Sequence, residues 1–157
     1  MKQKIFKILD ELGIEYQNFE HQPAFSCEDA KWIDIPWKRV KSLFIRNKKA
    51  TKYYMIVLED KKSFNSNLAR KLLQENKLTF ASEERMINTI WIKPGHVSPF
   101  ALINNEENNV EVIFDENLKD CLIWFHPGQN DNTTVLSLQD VEKFLNYIWN
   151  EFRYLEL

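Results

Sequence analysis

Glycine, histidine and cysteine are scarce in this chain. Its 157 residues include only three glycines, three histidines and two cysteines. Cys27 and Cys121 form no CxxC pair and the histidines show no HxxxH spacing, so we expect reduced thiols and no metal site. So few glycines leave no glycine-rich phosphate loop, and Ser98 lies outside any GxSxG motif, which argues against a serine hydrolase. We therefore expect no cofactor.

The sequence also lacks a long apolar run and an excess of one charge. Its 21 lysines and arginines face 23 aspartates and glutamates, a net charge of -2, which is not the balance of a protein that coats duplex nucleic acid. The N-terminal stretch MKQKIFKILDEL mixes lysines and carboxylates in an amphipathic pattern, so it predicts neither a secretory signal nor a membrane span. We expect a cytoplasmic protein without membrane contact.

What the chain does contain is typical of a folded globular protein. It has 44% hydrophobic, 13% aromatic and 28% charged residues, spread along its length. A chain of this size buries roughly 70% of the surface that its unfolded form exposes, which predicts a single domain over residues 1–157. Predicted helices interleave with predicted hairpins, so the fold class is α/β (α+β), with a mixed, largely antiparallel sheet and flanking helices.

Periodic apolar positions and capping residues predict the individual elements. Helices are predicted over 2–12, 26–33, about 65–73 and 83–90, and a last helix follows Ser137, which forms a capping box with Asp140. Extended segments are predicted over 14–19, 78–80, 122–125 and 133–136, and a hairpin over 40–46 and 53–58. The apolar runs 100–103 and 110–114 flank a polar turn and predict a second hairpin.

One loop differs from this framework, the stretch KPGHVSPFALINN over residues 93–105. It holds one of the three glycines and two of the five prolines. Gly95 can take backbone angles closed to other residues, while Pro94 and Pro99 fix φ and lack an N–H. We therefore expect a stiff loop that leads into a buried strand and aims its remaining N–H groups in set directions. Such a loop suits the holding of a small ligand.

Three further positions could carry chemistry. Lys41 stands at the start of a predicted strand, where it could be a cation facing a pocket or a surface lysine with a buried stem. His126 ends an apolar strand and could orient a substrate or move a proton, although a structural histidine fits the same pattern. A polar turn containing Asn130 and Thr133 follows it.

Other polar positions carry weaker signals. The basic residues between Lys31 and Lys52 could form a local patch or the solvated ends of loops and hairpins. His21 and His96 are weaker candidates than His126, because neither ends a predicted apolar strand.

Fragments spread over nearly the whole chain occur in the order of a known family. They are LGI at 12–14, EHQPAF at 20–25, VKSLFIR at 40–46, FASEER at 80–85, PGHVSPFALIN at 94–104, and FHP at 125–127 with ND at 130–131 and TT at 133–134. Together they resemble the YbaK/ProX (PrdX) family of aminoacyl-tRNA deacylases, which is related to the editing domain of bacterial prolyl-tRNA synthetases. The SEER and GxVxPF stretches resemble its stand-alone ProX branch most.

The resemblance implies roles for particular residues. The family's GxxxP loop falls on Gly95, His96, Val97, Ser98 and Pro99, its pocket lysine on Lys41 and its strand-end histidine on His126. The substrate-binding residues would be Ile33, Ser42, Leu43, Phe44, His126, Asn130 and Thr133. The chain departs from the family at Ser42, where asparagine is common, and at Ala101, where glycine is common.

The activity implied by the resemblance is trans-editing, the hydrolysis of the ester in mischarged Ala-tRNA(Pro). Its partners would be the acceptor end of the aminoacylated tRNA and prolyl-tRNA synthetase. In this family the loop N–H groups stabilise charge on the ester carbonyl and the neighbouring ribose hydroxyl helps to activate water, so no protein nucleophile is needed. Two alternatives stay open: a Cys-tRNA(Pro) deacylase of the YbaK type, and a catalytically weak protein that only binds a tRNA end or a small ligand.

Overall fold

Two β-sheets and four α-helices make up the computed structural model, which describes residues 1–23 and 38–157. The helices are α1 (Lys2–Glu11), α2 (Ser66–Leu72), α3 (Glu83–Ile90) and α4 (Leu138–Tyr147). The strands are β1 (Gln17–Glu20), β2 (Val40–Asn47), β3 (Tyr53–Glu59), β4 (Leu78–Phe80), β5 (Val110–Asp115), β6 (Leu122–Phe125), β7 (Asn132–Ser137) and β8 (Phe152–Leu155). One sheet has the strand order β4-β2-β3-β5-β8 and the other has the order β1-β7-β6.

Capping residues begin and end the helices largely where the sequence predicts. The side chains of Asn65, Ser82 and Ser137 each accept a hydrogen bond from a backbone N–H in the first turn of α2, α3 and α4. After α1 the chain passes through Gly13 at a φ of 66°, a left-handed conformation that ends a helix readily at glycine. The predicted helices at 2–12, 65–73 and 83–90 are therefore confirmed, whereas the one at 26–33 lies outside the described residues.

The predicted hairpin of β2 and β3 is confirmed in the five-stranded sheet. Its antiparallel register runs from Val40 opposite Glu59 to Arg46 opposite Tyr53 without a bulge. β4 extends the sheet beyond β2, also in antiparallel orientation. The other half of the sheet is parallel, because β5 pairs with β3 and β8 pairs with β5. Four of the six strand pairs are antiparallel, so the predicted fold class is confirmed.

The predicted second hairpin is wrong. Pro99–Asn104 is a 3-10 helix and not a buried strand, and β5 finds its partners in β3 and β8. Pro99 stands at the start of this helix, where a missing N–H costs nothing and its fixed φ suits the first turn. The expected burial of the run is confirmed, since Phe100, Ala101 and Leu102 are at most 3% exposed. Burial without alternation does not separate a short strand from a helical turn.

Two hydrophobic cores cover the faces of the five-stranded sheet. The main core lies between this sheet and the three-stranded sheet, and α1, α3, α4 and the 3-10 helix contribute to it. Phe100 is central to it, packing edge-to-face against Phe125 and Phe144. A smaller core on the opposite face joins Ile45, Tyr54 and Ile113 to Leu73, just past α2. No helix within residues 1–23 or 38–157 is long and apolar enough to span a membrane.

Candidate active site

The loop over residues 95–99, hereafter the 95–99 loop, is shaped by a tight turn. The N–H of His96 donates to the carbonyl oxygen of Lys93 at 3.2 Å, and Gly95 has a φ of 86°. Proline followed by a residue with positive φ is the sequence of a type II turn, in which the second position strongly favours glycine. Gly95 is therefore required by the backbone path of the loop.

Ser98 ties this loop to the end of β6. Its side chain is fully buried, and its hydroxyl donates to the carbonyl oxygen of His126 at 2.7 Å. The carbonyl of Ser98 in turn accepts the N–H of Ala101, which begins the 3-10 helix. Since the hydroxyl proton is already directed at a carbonyl, the side chain of Ser98 serves as a tether for the loop.

Two backbone donors of the 95–99 loop are left for a ligand. Among the described residues, no acceptor receives the N–H of Val97 or of Ser98. Nearly all buried backbone N–H groups in folded proteins have a hydrogen-bond acceptor. Two adjacent N–H groups without an acceptor therefore indicate a position where a ligand atom could accept. Ser98 is 0% exposed, which makes its N–H the more informative of the two.

His126 is held in one tautomer next to these donors. Its Nδ1 lies 2.8 Å from the carbonyl oxygen of Asn132, and because a carbonyl only accepts, Nδ1 carries the proton. Burial lowers the pKa of His126, and His21 and His96 lower it further, against the opposing effects of the Asn132 bond and of Asp131. The imidazole is therefore neutral near pH 7, and its Nε2 offers a lone pair.

A second histidine lies beside it. His21 follows β1, which pairs with β7 and so brings its ring to 2.7 Å from the hydroxyl of Thr133 and 6.0 Å from the ring of His126. Its Nδ1 lies 2.7 Å from the carbonyl oxygen of Gln22, and because a carbonyl only accepts, Nδ1 donates this hydrogen bond. His21 is a weak candidate in the sequence, because its position depends on the β1–β7 register.

Two buried donors complete this polar region. The indole Nε1 of Trp124 and the amide nitrogen of Asn130 have no hydrogen-bond partner among the described residues, and each residue is 6% exposed. Trp124 packs edge-on against the ring of His126, with centroids 5.6 Å apart. Sequence reasoning missed Trp124, which has the pattern of one more apolar residue of a buried strand. The described residues contain no group of three His, Cys, Asp or Glu side chains that could hold a metal ion.

Comparison with known proteins identifies the family. The family model described as "Aminoacyl-tRNA editing domain" matches residues 21–144. This chain belongs to that family. It is 37% identical over 160 residues to the Prolyl-tRNA editing protein ProX of Acetoanaerobium sticklandii, covering 99% of this chain and 97% of the relative. The editing-domain family makes it a hydrolase of the ester in mischarged aminoacyl-tRNA.

More distant relatives share the sequence or the fold. Prolyl-tRNA synthetase associated domain-containing protein 1 of Danio rerio is 26% identical over 150 residues, covering 92% of this chain and 81% of the relative. The crystal structure of hypothetical protein APE2540 superposes with a TM-score of 0.73 at 17% identity and covers 95% of this chain and 96% of that one. The predicted family resemblance is therefore confirmed, and the fold is that of known structures.

In this editing domain the start of β2 lies beside β6. Lys38 bridges Ile123 in parallel orientation, and the Arg39 guanidinium lies over the Trp124 ring, 5.8 Å from its centroid. Continuing the parallel register brings Lys41 level with His126. Lys41 comes two residues after Arg39, and His126 comes two residues after Trp124. Strand alternation therefore places these side chains on the same side as Arg39 and Trp124. Lys41 is half-buried, and none of the described residues pairs with it.

Strand alternation separates the predicted pocket residues of β2 into two sets. Leu43 points to the same face as Lys41 and packs against the smaller core. Ser42 points the other way, with Phe44, which is 3% exposed in the main core and stacks on Tyr53. The register therefore places Lys41 level with His126, which Ser98 ties to the 95–99 loop and which follows the part of β6 paired with β7. It does not bring Ser42 and Phe44 to that face. Ile33 lies outside the described residues.

Several of the described basic residues over 38–52 are held by contacts within the fold. Lys52 pairs with Glu111 at 2.8 Å and Lys38 with Glu59 at 3.7 Å, while Arg46 donates to the carbonyls of Asn47 and Lys48. Cations engaged in this way are less available for phosphate groups. Several members of the group are thus engaged within the fold, while strand alternation places Arg39 and Lys41 on the side of Trp124 and His126.

Proposed function

We propose that this editing domain is a trans-editing deacylase that hydrolyses the ester of alanine mischarged onto proline tRNA. One observation carries the proposal: the adjacent N–H groups of Val97 and Ser98, without an acceptor among the described residues, lie beside a neutral histidine. The relative named Prolyl-tRNA editing protein ProX, which aligns over nearly the full length, supports proline tRNA as the carrier.

The proposed chemistry is acyl transfer to water. Water attacks the ester carbonyl, a C–O bond forms, and the oxygen becomes negatively charged as the tetrahedral intermediate develops. The N–H groups of Val97 and Ser98 donate to this oxygen, and one such donor typically contributes about 3 kcal/mol of transition-state stabilisation. The bond to the ribose oxygen then breaks, and that oxygen takes up one proton of the attacking water. The other proton is released to solvent, and alanine leaves as a carboxylate.

No side chain needs to act as a nucleophile in this scheme. The hydroxyl of Ser98 is bonded to the His126 carbonyl, and Cys121 lies with Asn117 at the far end of β6. The vicinal hydroxyl of the terminal ribose instead assists the attacking water. Nε2 of His126 accepts a hydrogen bond from the bound aminoacyl ribose, which requires the neutral ring that burial maintains.

Lys41 supplies the positive charge of the site. It stands level with His126, and since none of the described residues pairs with its ammonium, it is available for a phosphate or carbonyl oxygen of the tRNA end. The tRNA terminus is single-stranded and therefore accessible to such contacts.

Selection of alanine over proline is proposed to rest on volume. The walls of the pocket are fixed, because Ser98, Pro99 and Phe100 are buried and closely packed and His126 is held by Asn132. Moving these walls apart would cost packing energy. The clash of the proline ring with such walls should disfavour binding by more than the ~1–3 kcal/mol that an added methylene contributes in a merely apolar site.

Prolyl-tRNA synthetase, which charges the same tRNA, is the proposed functional partner, and both act in the cytoplasm.

The test is a deacylation assay with proline tRNA charged separately with alanine, cysteine and proline. We expect rapid loss of alanine, slower loss of cysteine, intact prolyl-tRNA, and a large decrease in rate for Lys41→Ala. Faster loss of cysteine would support the Cys-tRNA(Pro) alternative. Absence of hydrolysis with all three substrates, at protein concentrations that bind tRNA, would leave only the binding protein.

A further inference from the structure

An exposed groove lies on the side of α1. It has a volume of about 710 Å³ and runs between α1, the 3-10 helix and the end of α4. Lys4 and Lys7 line one wall, Leu102 and Ile103 the floor, and Tyr147 and Trp149 the far end. Trp149 is 85% exposed and Tyr147 47% exposed, although large aromatic side chains usually gain free energy from burial.

The local backbone presents Trp149 to solvent. The residue follows α4 with a φ of 58°, a left-handed conformation that is uncommon for a side chain of this size. Its neighbour Asn150 is buried and donates to the carbonyls of Val110 and Glu151, which fixes the chain on that side. Trp149 is therefore held outward by an anchored backbone.

The groove shares structural elements with the candidate active site. Its floor is the 3-10 helix, which begins at Pro99, the last residue of the 95–99 loop. Along its wall, α1 is preceded by Met1, whose side chain contacts Asn104 and lies against Gly128, two residues after His126. Since a helix rises about 1.5 Å per residue, Lys4 and Lys7 lie roughly 5 and 9 Å farther along α1.

Charge and aromatic content fit a nucleic acid strand. Lys4 has no anionic partner among the described residues, and Lys7 approaches Glu11 only at 4.0 Å, with both side chains well exposed. Two cations followed by an exposed tryptophan match the combination of backbone neutralisation and base stacking by which proteins hold single-stranded nucleic acid. Glu11 also lines the groove, so its two lysines outnumber one carboxylate. The groove on the other side of Trp149 has the reverse balance, because Glu111 and Glu151 line it with Arg153, and it is less suited to a polyanion.

We infer that this groove binds the acceptor end of the tRNA, on the nucleotides that precede the esterified ribose, with phosphates at Lys4 and Lys7 and a base or ribose stacked on Trp149. The inference rests on the proposed function, because it takes its ligand from the site that the groove adjoins. A second copy of this chain could also cover an exposed tryptophan, and this is an outcome of the test below.

The experiment compares two substrates that differ in how much of the protein they contact. Ala-tRNA(Pro) spans both site and groove, whereas 3′-alanyl-adenosine occupies the site alone. Trp149→Ala and the double variant Lys4→Gln/Lys7→Gln should each raise KM for Ala-tRNA(Pro) by about 10-fold or more, with kcat and the rate on alanyl-adenosine unchanged. Trp149→Phe should recover most of the affinity because it retains an aromatic face.

Matched controls separate the groove from general effects. Trp91→Ala removes another exposed tryptophan with positive φ, since Trp91 is 63% exposed and has a φ of 59°. Lys61→Gln/Lys77→Gln removes the same charge from exposed positions outside the groove. Neither control should alter KM for the tRNA. The lysine double variant should also reduce the salt dependence of tRNA binding by about 1.4 in log–log slope, near 0.7 for each lost phosphate contact to a single strand.

Binding of uncharged proline tRNA is measured in parallel by filter retention, so the inference is tested even if the proposed deacylation fails. Unchanged tRNA affinity in Trp149→Ala and in the lysine double variant would overturn the inference, whatever the result on catalysis. Sedimentation of the parent as a dimer that Trp149→Ala converts to a monomer, with tRNA affinity unchanged, would assign the groove to a second copy instead.

Discussion

In the five-stranded sheet the buried charged side chains are carboxylates held by cations, whereas the three-stranded sheet and its loops bury uncharged amides, hydroxyls and a neutral histidine. Asp115 lies 2.5 Å from Lys62, and Glu111 contacts both Lys52 and Arg153. These contacts satisfy both carboxylates. Beside the three-stranded sheet, by contrast, Asn130 and Trp124 bury donors that none of the described residues satisfies.

The difference indicates that the two sheets have different roles in this chain. Paired charges and an apolar core on each face give the five-stranded sheet its stability. Each buried donor without an acceptor lowers the free energy of unfolding by roughly 1–3 kcal/mol. Such donors are expected at sites where a bound ligand supplies the missing acceptor. Substitutions in the two regions should therefore separate stability from activity.

The largest effect on activity is expected for Gly95→Ala. A Cβ at a φ of 86° strains the turn and shifts the N–H groups of the 95–99 loop, so deacylation should fall by about 100-fold or more. Gly13→Ala is the matched control, because Gly13 also has a positive φ and a Cβ there would meet nothing within 4 Å. Both variants should lose about 1–2 kcal/mol of unfolding free energy in urea. If Gly95→Ala had the activity of the parent, the 95–99 loop would have only a structural role.

His126 can be dissected by two amide substitutions. In His126→Asn the side-chain nitrogen would lie near the position of Nδ1 and keep the bond to the Asn132 carbonyl. In His126→Gln the amide would reach the position of Nε2, where its oxygen can accept in place of the lone pair, and would lose the bond to Asn132. If Nε2 contacts the substrate, His126→Asn should be stable and about 10–100-fold less active, the range of one general acid–base or positioning contact. His126→Gln should be less stable and retain more activity than His126→Asn. Equal activity of His126→Asn and the parent would remove Nε2 from the mechanism.

Asp115→Asn should have the opposite profile. Asp115 is 1% exposed, pairs with Lys62 and accepts the N–H of Leu157, so removing its charge should cost about 2 kcal/mol of unfolding free energy. The activity of the folded fraction should not change. Glu116→Gln breaks the solvent-exposed pair with Lys119 and should cost no more than about 0.5 kcal/mol. A decrease in kcat for Asp115→Asn at full folding would contradict the division between the sheets.

The smallest effect concerns pH. The pKa of His126 is lowered on folding, mainly by burial, so the unfolded chain binds more protons than the folded one just below pH 6.5. The contribution of this group to stability is complete above that pH and is lost as the pH falls toward the lowered folded value. Thermal unfolding midpoints at about pH 7.5 and about pH 5 should therefore differ less in His126→Asn than in the parent. An unchanged difference would mean that other groups dominate.

Local signals sufficed for much of the fold. Asn65, Ser82 and Ser137 cap helices because a short polar side chain can satisfy a backbone N–H within its own turn, and nothing distant is needed. The β2–β3 hairpin was likewise predictable, since two β-rich segments flank a polar turn. In contrast, β8 was missed, because its four residues become a strand only by pairing with β5 across the end of α4.

The candidate site was predictable only in part. The loop, Lys41 and His126 were recognisable as motifs, although their roles remain predictions that the experiments above test. His21 and Trp124 were not recognisable, because the β1–β7 register and the Lys38–Ile123 bridge bring them beside His126. Ser42 and Phe44 belong to the same motif as Lys41 but point to the other face of the strand, which the motif by itself does not reveal.

The family, the helix boundaries and the turn at Gly95 follow from the amino-acid sequence alone, because each depends on residues close together in the chain. The folded arrangement was needed to establish which face Lys41 takes, why the run after Pro99 is helical and not extended, and which backbone donors remain without a partner among the described residues. These features depend on contacts between segments far apart in sequence, such as Ser98 with His126 and β5 with β3, for which no local pattern exists.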